Sequence, residues 1–327
     1  MSVMEKIHNE LMQVPNSLQN LGRFGSLSYF HNSNIKQDDF FKFGYQILSR
    51  FGINYLSLSH LTTFETKFYE WVYKYIVGKK MPTTIKMLRG VAIEKFLLTN
   101  IGLFDNPDDF ANSGVEFFKS LIAQTAQEGN LADYTQEDLE DSVLFVQGAL
   151  RLNYDFFKER VFTDQGLNVS YRLKDSINVF GIIDSIIERK DFRGIVEMKT
   201  TERIPKEPYE LHIRQLAFYL LATGLPYGYI YYIGNGGKIL KKGTVYFRAF
   251  VFEREKVLDY ILEYIETMAY KIISFLSKFN SPKELIEITV PNYTDFLFDQ
   301  NLRGEYGNIF GLRTEKPKYT SETSNFI

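Results

Sequence analysis

Residues 177–201 read INVFGIIDSIIERKDFRGIVEMKTT, and the fold turns on this stretch. INVFGIIDSIIE is β-branched and apolar on both faces, the signature of a central strand. KDFRG is a turn and IVEMKT the next strand. Asp184 stands in the middle of the apolar run, where a carboxylate is costly unless a metal or another cation neutralises it. Thirteen positions later come Glu197, Met198 and Lys199. Residues two apart share a strand face, so Glu197 and Lys199 project together while Val196 and Met198 point away. Paired through the turn, the two strands bring Asp184 and Glu197 together. Two carboxylates on one face make an oxygen-rich site suited to Mg²⁺ or Mn²⁺. Lys199 beside them can orient an attacking water or steady charge on a phosphate. Glu-x-Lys alone is an ordinary solvated strand face; the Asp in the apolar strand before it shifts the balance.

Outward from this hairpin the periodicity changes. Upstream, LNVSYRLK alternates as a strand. Downstream, EPYELHIRQLAFYLLATG reads as a helix ending at Gly224. YGYIYYIGN and TVYFRAFVF read as strands around an NGGK turn, and residues 253–279 as a long amphipathic helix. Before residue 166 the pattern is helical. The segment from residue 56 has Ser57 or Ser59 as N-cap and apolar residues at helical spacing up to Gly78. A second helix follows Pro82 with Thr83 or Thr84 as cap, and residues 107–128 and 135–161 form two more. The class is α/β, an α+β mixed sheet with a helical front section and a long C-terminal helix. The expected organisation is a cap at 1–55, a helical section at 56–165, a core sheet with helices at 166–280, and a polar tail at 281–327.

Two helices carry further polar residues. On the helix after Pro82, Met87, Val91, Leu98 and Ile101 form an apolar stripe with Glu94 on it, and Gly90 leaves open space one turn earlier. A carboxylate on a buried stripe is a candidate metal ligand. On the later helix Gln215 and Tyr219 lie four apart on one face, with His212 a turn earlier.

Composition narrows the chemistry. The 327 residues contain no cysteine, which excludes disulfides, thiol catalysis, thiolate zinc and ordinary iron–sulfur ligation. Four histidines leave little for a histidine-rich metal centre. A net charge of −2 makes any nucleic-acid contact local rather than global. No uncharged apolar run approaches a membrane span, and MSVMEKIHNELM has no apolar signal core. A soluble cytoplasmic protein without membrane partners is expected.

Taken in order, Gly90-x3-Glu94, Gly181-x2-Asp184, Glu197-x-Lys199 and Gln215-x3-Tyr219 form a set. The set resembles the PD-(D/E)XK nuclease superfamily, in the branch of the RecB nuclease domain and the CRISPR-adaptation nucleases. GIIDSI, GIVEMKTT and HIRQLAFYLLA are similar to that family's second, third and Gln-x3-Tyr motifs. YLSLSHLTTFETKFYEWVYKYIVGKK resembles the stretch that opens many members. RGVAIEKFL resembles the first motif, with Glu94 where His is usual, as in the lambda-exonuclease type of site. Phe64-Glu65-Thr66 replaces the cysteine region of the iron–sulfur members, so no cluster is expected.

The resemblance implies a restriction-endonuclease-like αβββαβ core and metal-dependent hydrolysis of DNA. Glu94, Asp184, Glu197 and the Met198 carbonyl would hold one or two Mg²⁺ or Mn²⁺ ions. Lys199 would position the nucleophile, and Gln215 and Tyr219 would orient Lys199 or contact the backbone. An exonuclease in recombination, repair or replication follows, whether cellular or viral (then acting in the host cytoplasm), with a recombinase, single-strand-binding protein or helicase as partner. Lys79, Lys80, Lys86, Arg89, Arg203, Lys206 and Arg214 surround the acidic set as candidate phosphate contacts, and Lys238, Lys241 and Lys242 lie in a turn. Two alternatives stay open: an inactive nucleic-acid-binding or assembly protein on a nuclease fold, and an unrelated α/β enzyme acting on a small phosphate.

Overall fold

The computed structural model describes residues 37–289 apart from 159–160, 175, 190–191 and 236–243. The expectations for the first 36 residues, for the two short turns at 190–191 and 236–243 with Lys238, Lys241 and Lys242, and for the tail after residue 289 lie outside the described residues.

The chain runs α1 (Gln37–Arg50), β1 (Leu56–Ser57), α2 (Leu58–Thr66), α3 (Phe68–Trp71), a π-helical turn (Val72–Ile76), α4 (Ile85–Asn100), α5 (Pro107–Gln127), α6 (Gln136–Lys158), β2 (Val161–Leu173), β3 (Ile177–Arg189), β4 (Phe192–Thr201), α7 (Glu210–Thr223), β5 (Tyr227–Asn235), β6 (Val245–Glu253), α8 (Arg254–Leu276) and α9 (Pro282–Ile288). This is the mixed α/β fold with a restriction-endonuclease-like core that the motif order implies.

Local signals place the helix starts. Ser57 caps α2 by accepting from His60 N–H, and His60 Nδ1 accepts from Ser57 N–H in return. Thr84 caps α4, and Asn106 followed by Pro107 starts α5. The segment expected as one helix from residue 56 to 78 is interrupted. Lys67 leaves helical geometry (φ −145°), and Val72–Ile76 widens into a π turn. β2 begins at Val161, so the strand region opens five residues before Gly166; that glycine lies inside the strand with φ +61°.

The six-stranded sheet has the order β1–β3–β4–β5–β6, with β2 also paired to β3. β2–β3, β3–β4 and β5–β6 are antiparallel; β1–β3 and β4–β5 are parallel. The parallel β4–β5 step is made by α7 crossing over one face. Each face covers its own core. Ile177, Val179, Ile183, Ile195, Ile230 and Tyr232 pack with α1, α2, α7 and α8. Val196, Met198, Tyr231, Ile233 and Val245 pack with α4, α5 and α6. Odd and even residues of β4 thus enter opposite cores, as the two-residue period requires.

β3 departs from the expected strand buried on both faces. Phe180 and Ile182 are exposed, Ile182 at 59%. The α4–α6 layer covers the β4–β6 half of the sheet and leaves the first half of β3 open on that side.

Candidate active site

β3 has two edges, and β2 occupies one of them from Val161↔Glu188 to Leu173↔Ile177. The other edge is shared. β1 takes Val179 and Phe180, and β4 takes Ser185 to Arg189. Between them β3 and β4 diverge, and Asp184 lies in this fork. Its Oδ2 accepts the Met198 N–H at 3.0 Å, so a side chain completes what the ladder leaves open. The alternation of β3 also breaks here: Ile183 and Ile186, three apart, both enter the same core. Gly166 of β2, between the pairs Gln165↔Ser185 and Leu167↔Ile183, stands opposite with its positive φ. A local kink of this kind re-aims a side chain.

Glu197 and Lys199 share the face away from Met198, as the sequence pattern predicts. Glu197 is 0% exposed. Its Oε1 is ion-paired with Lys199 Nζ, and its Oε2 is buried with no hydrogen-bond partner. Burial raises the Glu197 carboxyl to about 8, and Asp184 adds to the rise against the pull of Lys199. Burial also raises Asp184, offset in part by Lys199 and the Met198 N–H. Burial pulls Lys199 down, but Glu197, Asp184 and Glu94 together lift it above the ordinary lysine value.

Glu94 reaches the same site by another geometry than its sequence pattern suggested. The buried face of α4 is Leu88, Ala92, Ile93, Phe96 and Leu97. Met87 is 56% and Val91 37% exposed, so the Met87–Val91–Glu94 row turns to the cleft instead of the core. Gly90 does not leave empty space: a Cβ there would meet Thr200 Oγ1 at 2.7 Å. The missing side chain lets α4 close on the end of β4, which delivers Glu94 to Asp184 and Lys199. Burial, and then Asp184, raise Glu94 to about 7.

On α7, Gln215 Nε2 donates to the Tyr219 hydroxyl at 2.9 Å. Gly181 permits this approach, since a Cβ there would lie 2.6 Å from Tyr219 Cε1 and 2.8 Å from Phe218 Cε1. Burial and the nearby Glu197 charge push the Tyr219 phenol up, so it stays protonated. His212 Nδ1 lies 2.7 Å from the hydroxyl of Tyr232, which also accepts Tyr209 N–H at 3.0 Å. Tyr232 is the register partner of Lys199. Sequence reasoning missed Tyr232 and Thr200, because strand register and helix closure have no local pattern.

The basic set divides. Lys79, Lys80, Lys86, Arg203 and Lys206 are exposed, and Lys86 is paired with Glu202. Arg89 and Arg214 are corrected, being 5% and 7% exposed. Arg89 lies 3.9 Å over the Phe145 ring between the helices. Arg214 bonds Glu65 and Glu210 at 2.5 Å and the Tyr260 hydroxyl at 2.9 Å, over the Tyr264 ring. Both sit on the inward face of their helix, so neither is presented to a phosphate.

The carboxylate oxygens of Glu94, Asp184 and Glu197, with Glu197 Oε2 buried and unpartnered, are the donor type that a hard divalent cation takes. Among the described residues no three acidic or histidine groups already stand in ligating geometry. The sheet fork, the Asp and Glu-x-Lys on its two strands and the flanking helices define a nuclease core. The PD-(D/E)XK nuclease superfamily model matches residues 55–272, and the chain belongs to that superfamily. Among solved structures, the crystal structure of SSO0001 is similar at 14% identity and a TM-score of 0.28, over 65% of this chain and 82% of that one. No curated protein matches the chain. Among the described residues no helix is long and apolar enough to cross a membrane.

Proposed function

We propose that the protein is a Mg²⁺- or Mn²⁺-dependent deoxyribonuclease that hydrolyses phosphodiester bonds, working as an exonuclease in recombination, repair or replication. The observation that carries this reading is the buried, unpartnered Oε2 of Glu197 beside Asp184, Glu94 and Lys199. Carboxylates raised by burial and by one another cost folding free energy unless a cation joins them. Glu94, Asp184, Glu197 and the Met198 carbonyl would hold that cation. When bound, the ion supplies positive charge against the phosphate and acidifies water.

The chain's own groups do the rest. Lys199, held by Glu197, keeps its proton and places a fixed ammonium beside the reacting phosphate. Gln215 and Tyr219 form a neutral pair against the face of β3, and with its amide fixed by that hydrogen bond Gln215 would orient Lys199 or contact the DNA backbone. Exposed Lys79, Lys80, Arg203 and Lys206 would follow the DNA backbone, and a recombinase, single-strand-binding protein or helicase would supply the DNA ends.

The test is a time course on labelled linear, nicked and circular DNA with Mg²⁺, Mn²⁺ or EDTA. Metal-dependent loss of linear DNA with circular DNA spared is expected. Cleavage of circles would remove the exonuclease part. DNA binding without cleavage under any metal would favour the assembly-protein reading instead.

A further inference from the structure

We infer that His212 is a further substrate contact, donating through its Nε2–H to a nucleic-acid phosphate beside the scissile one. The inference rests on the phosphodiesterase reading above. It starts from Tyr232, which is fully buried and whose hydroxyl has one proton to give. That hydroxyl accepts Tyr209 N–H, and its remaining neighbour is His212 Nδ1. A buried hydroxyl proton without an acceptor is costly, so it goes to Nδ1. The imidazole proton therefore sits on Nε2.

Position follows from register. Lys199 and Tyr232 are partners in the parallel β4–β5 ladder, so their side chains lie side by side on one face, about 4.8 Å apart at the backbone. His212, held on Tyr232, borders Lys199. It also continues the Gln215–Tyr219 row on α7, three and seven residues earlier. The ring is half-buried, with its Nδ1 edge against Tyr232, so the Nε2 edge is the one left to face solvent. Nε2 has no hydrogen-bond partner among the described residues. Burial and the Lys199 charge lower the ring to about 4, so it remains neutral near pH 7. Such a group donates a hydrogen bond without competing with Lys199 for the carboxylates.

The experiment compares wild type with His212→Ala, His212→Gln and Tyr232→Phe on one labelled oligonucleotide in Mg²⁺. Binding of the same oligonucleotide in Ca²⁺ and thermal melting are read in parallel. Losing a donor to a neighbouring phosphate weakens ground state and transition state alike, so KM rises about 10-fold in His212→Ala while kcat holds. His212→Gln, with an amide N–H near the Nε2 position, recovers part of the loss. Tyr232→Phe frees the tautomer and gives a smaller rise in KM. Unchanged KM and affinity in His212→Ala overturn the inference, as does a lower melting temperature with unchanged KM. Lys199→Ala, which should lose kcat, separates the two readings. If wild type binds but does not cut, the nuclease reading fails and the affinity of His212→Ala still decides this one. If wild type neither binds nor cuts, both fall.

Discussion

Two clusters of charge in the molecule each set carboxylates around a single cation. One is Glu65, Glu210 and Arg214 with Tyr260 and Tyr264. The other is Glu94, Asp184, Glu197 and Lys199. In the first, Arg214 bonds both acids and Tyr260, and the tyrosine hydroxyls donate to Glu210 at 3.0 Å and Glu65 at 3.1 Å. Its charges balance within one unit and its donors are used, so α2, α7 and α8 are tied together. In the second, three carboxylates face one ammonium, one buried oxygen has no partner, and Glu94 and Glu197 are raised to about 7 and 8. A satisfied cluster holds the fold, whereas an unsatisfied one stores repulsion that a ligand can relieve.

The largest expected effect breaks the second cluster. Lys199→Ala and Glu94→Ala should each lower cleavage by about 10²–10⁴-fold, the range for loss of a positioned catalytic group. Glu94→Ala should leave the melting temperature close to wild type, whereas Lys199→Ala takes the cation from the fully buried Glu197 and should lower it in the metal-free protein. Near-normal cleavage by either variant would make that residue a bystander. Arg214→Ala should do the opposite. It strands Glu65 in a partly buried site and should cost about 2–3 kcal/mol, below the full buried-pair figure because both acids reach solvent. Arg214→Lys should not restore it, because an ammonium cannot bridge two carboxylates and a phenol as a guanidinium fork does. Chemical denaturation reads both, and a loss under 1 kcal/mol for Arg214→Ala would show the network to be slack.

Acid–base linkage sharpens the contrast. Glu94 and Glu197 hold protons in the folded, metal-free protein up to about pH 7 and 8, whereas the unfolded chain loses them near pH 4.5. Between these limits the native state binds more protons, so stability falls as pH rises through that window. The melting temperature in EDTA should therefore decline from pH 5 to pH 8. Mg²⁺ should raise it more at pH 8 than at pH 5, since ligand carboxylates must be deprotonated. Glu197→Gln should flatten the metal-free profile. A profile that rises with pH would contradict the repulsion assigned to the site.

Much of the second cluster was legible in the sequence because its signals are local. An Asp in an apolar strand, a Glu-x-Lys two-residue repeat and a Gln four residues before a Tyr all follow from element periodicity. Glu94 was found by a pattern that turned out to face the wrong way: Met87 and Val91 point to the cleft, and only Leu98 and Ile101 of the expected stripe are buried. A short apolar helix offers two hydrophobic faces, and tertiary packing selects between them. Arg89 and Arg214 were misplaced for the reverse reason, since a lone cation on a helix reads as solvated until its partners appear from other elements. Glu65 and Arg214 are 149 residues apart in sequence. The break of helix at Lys67 and the kink opposite Asp184 likewise depend on packing that no local pattern records.

The smallest effect concerns a pair that belongs to neither cluster. Lys86 on α4 and Glu202 just after β4 form an ion pair with both side chains more than half exposed. Exposed pairs contribute little, so Lys86→Ala should change stability by less than about 0.5 kcal/mol. Glu202 would then keep only the nearby Arg89 charge. If Lys86 exchanges Glu202 for a DNA phosphate on binding, it releases less counterion than an unpaired lysine, because its charge is already partly compensated. The slope of log affinity against log salt should therefore drop by less than the ~0.9 expected for one full phosphate contact. Glu202→Gln should act in the other direction, freeing Lys86 and raising affinity at low salt. Titrations at several salt concentrations with the Lys199→Ala background, which prevents cleavage, would measure both. Equal slopes and affinities in all three proteins would place the DNA track away from this pair and leave Lys79, Lys80, Arg203 and Lys206 to carry it.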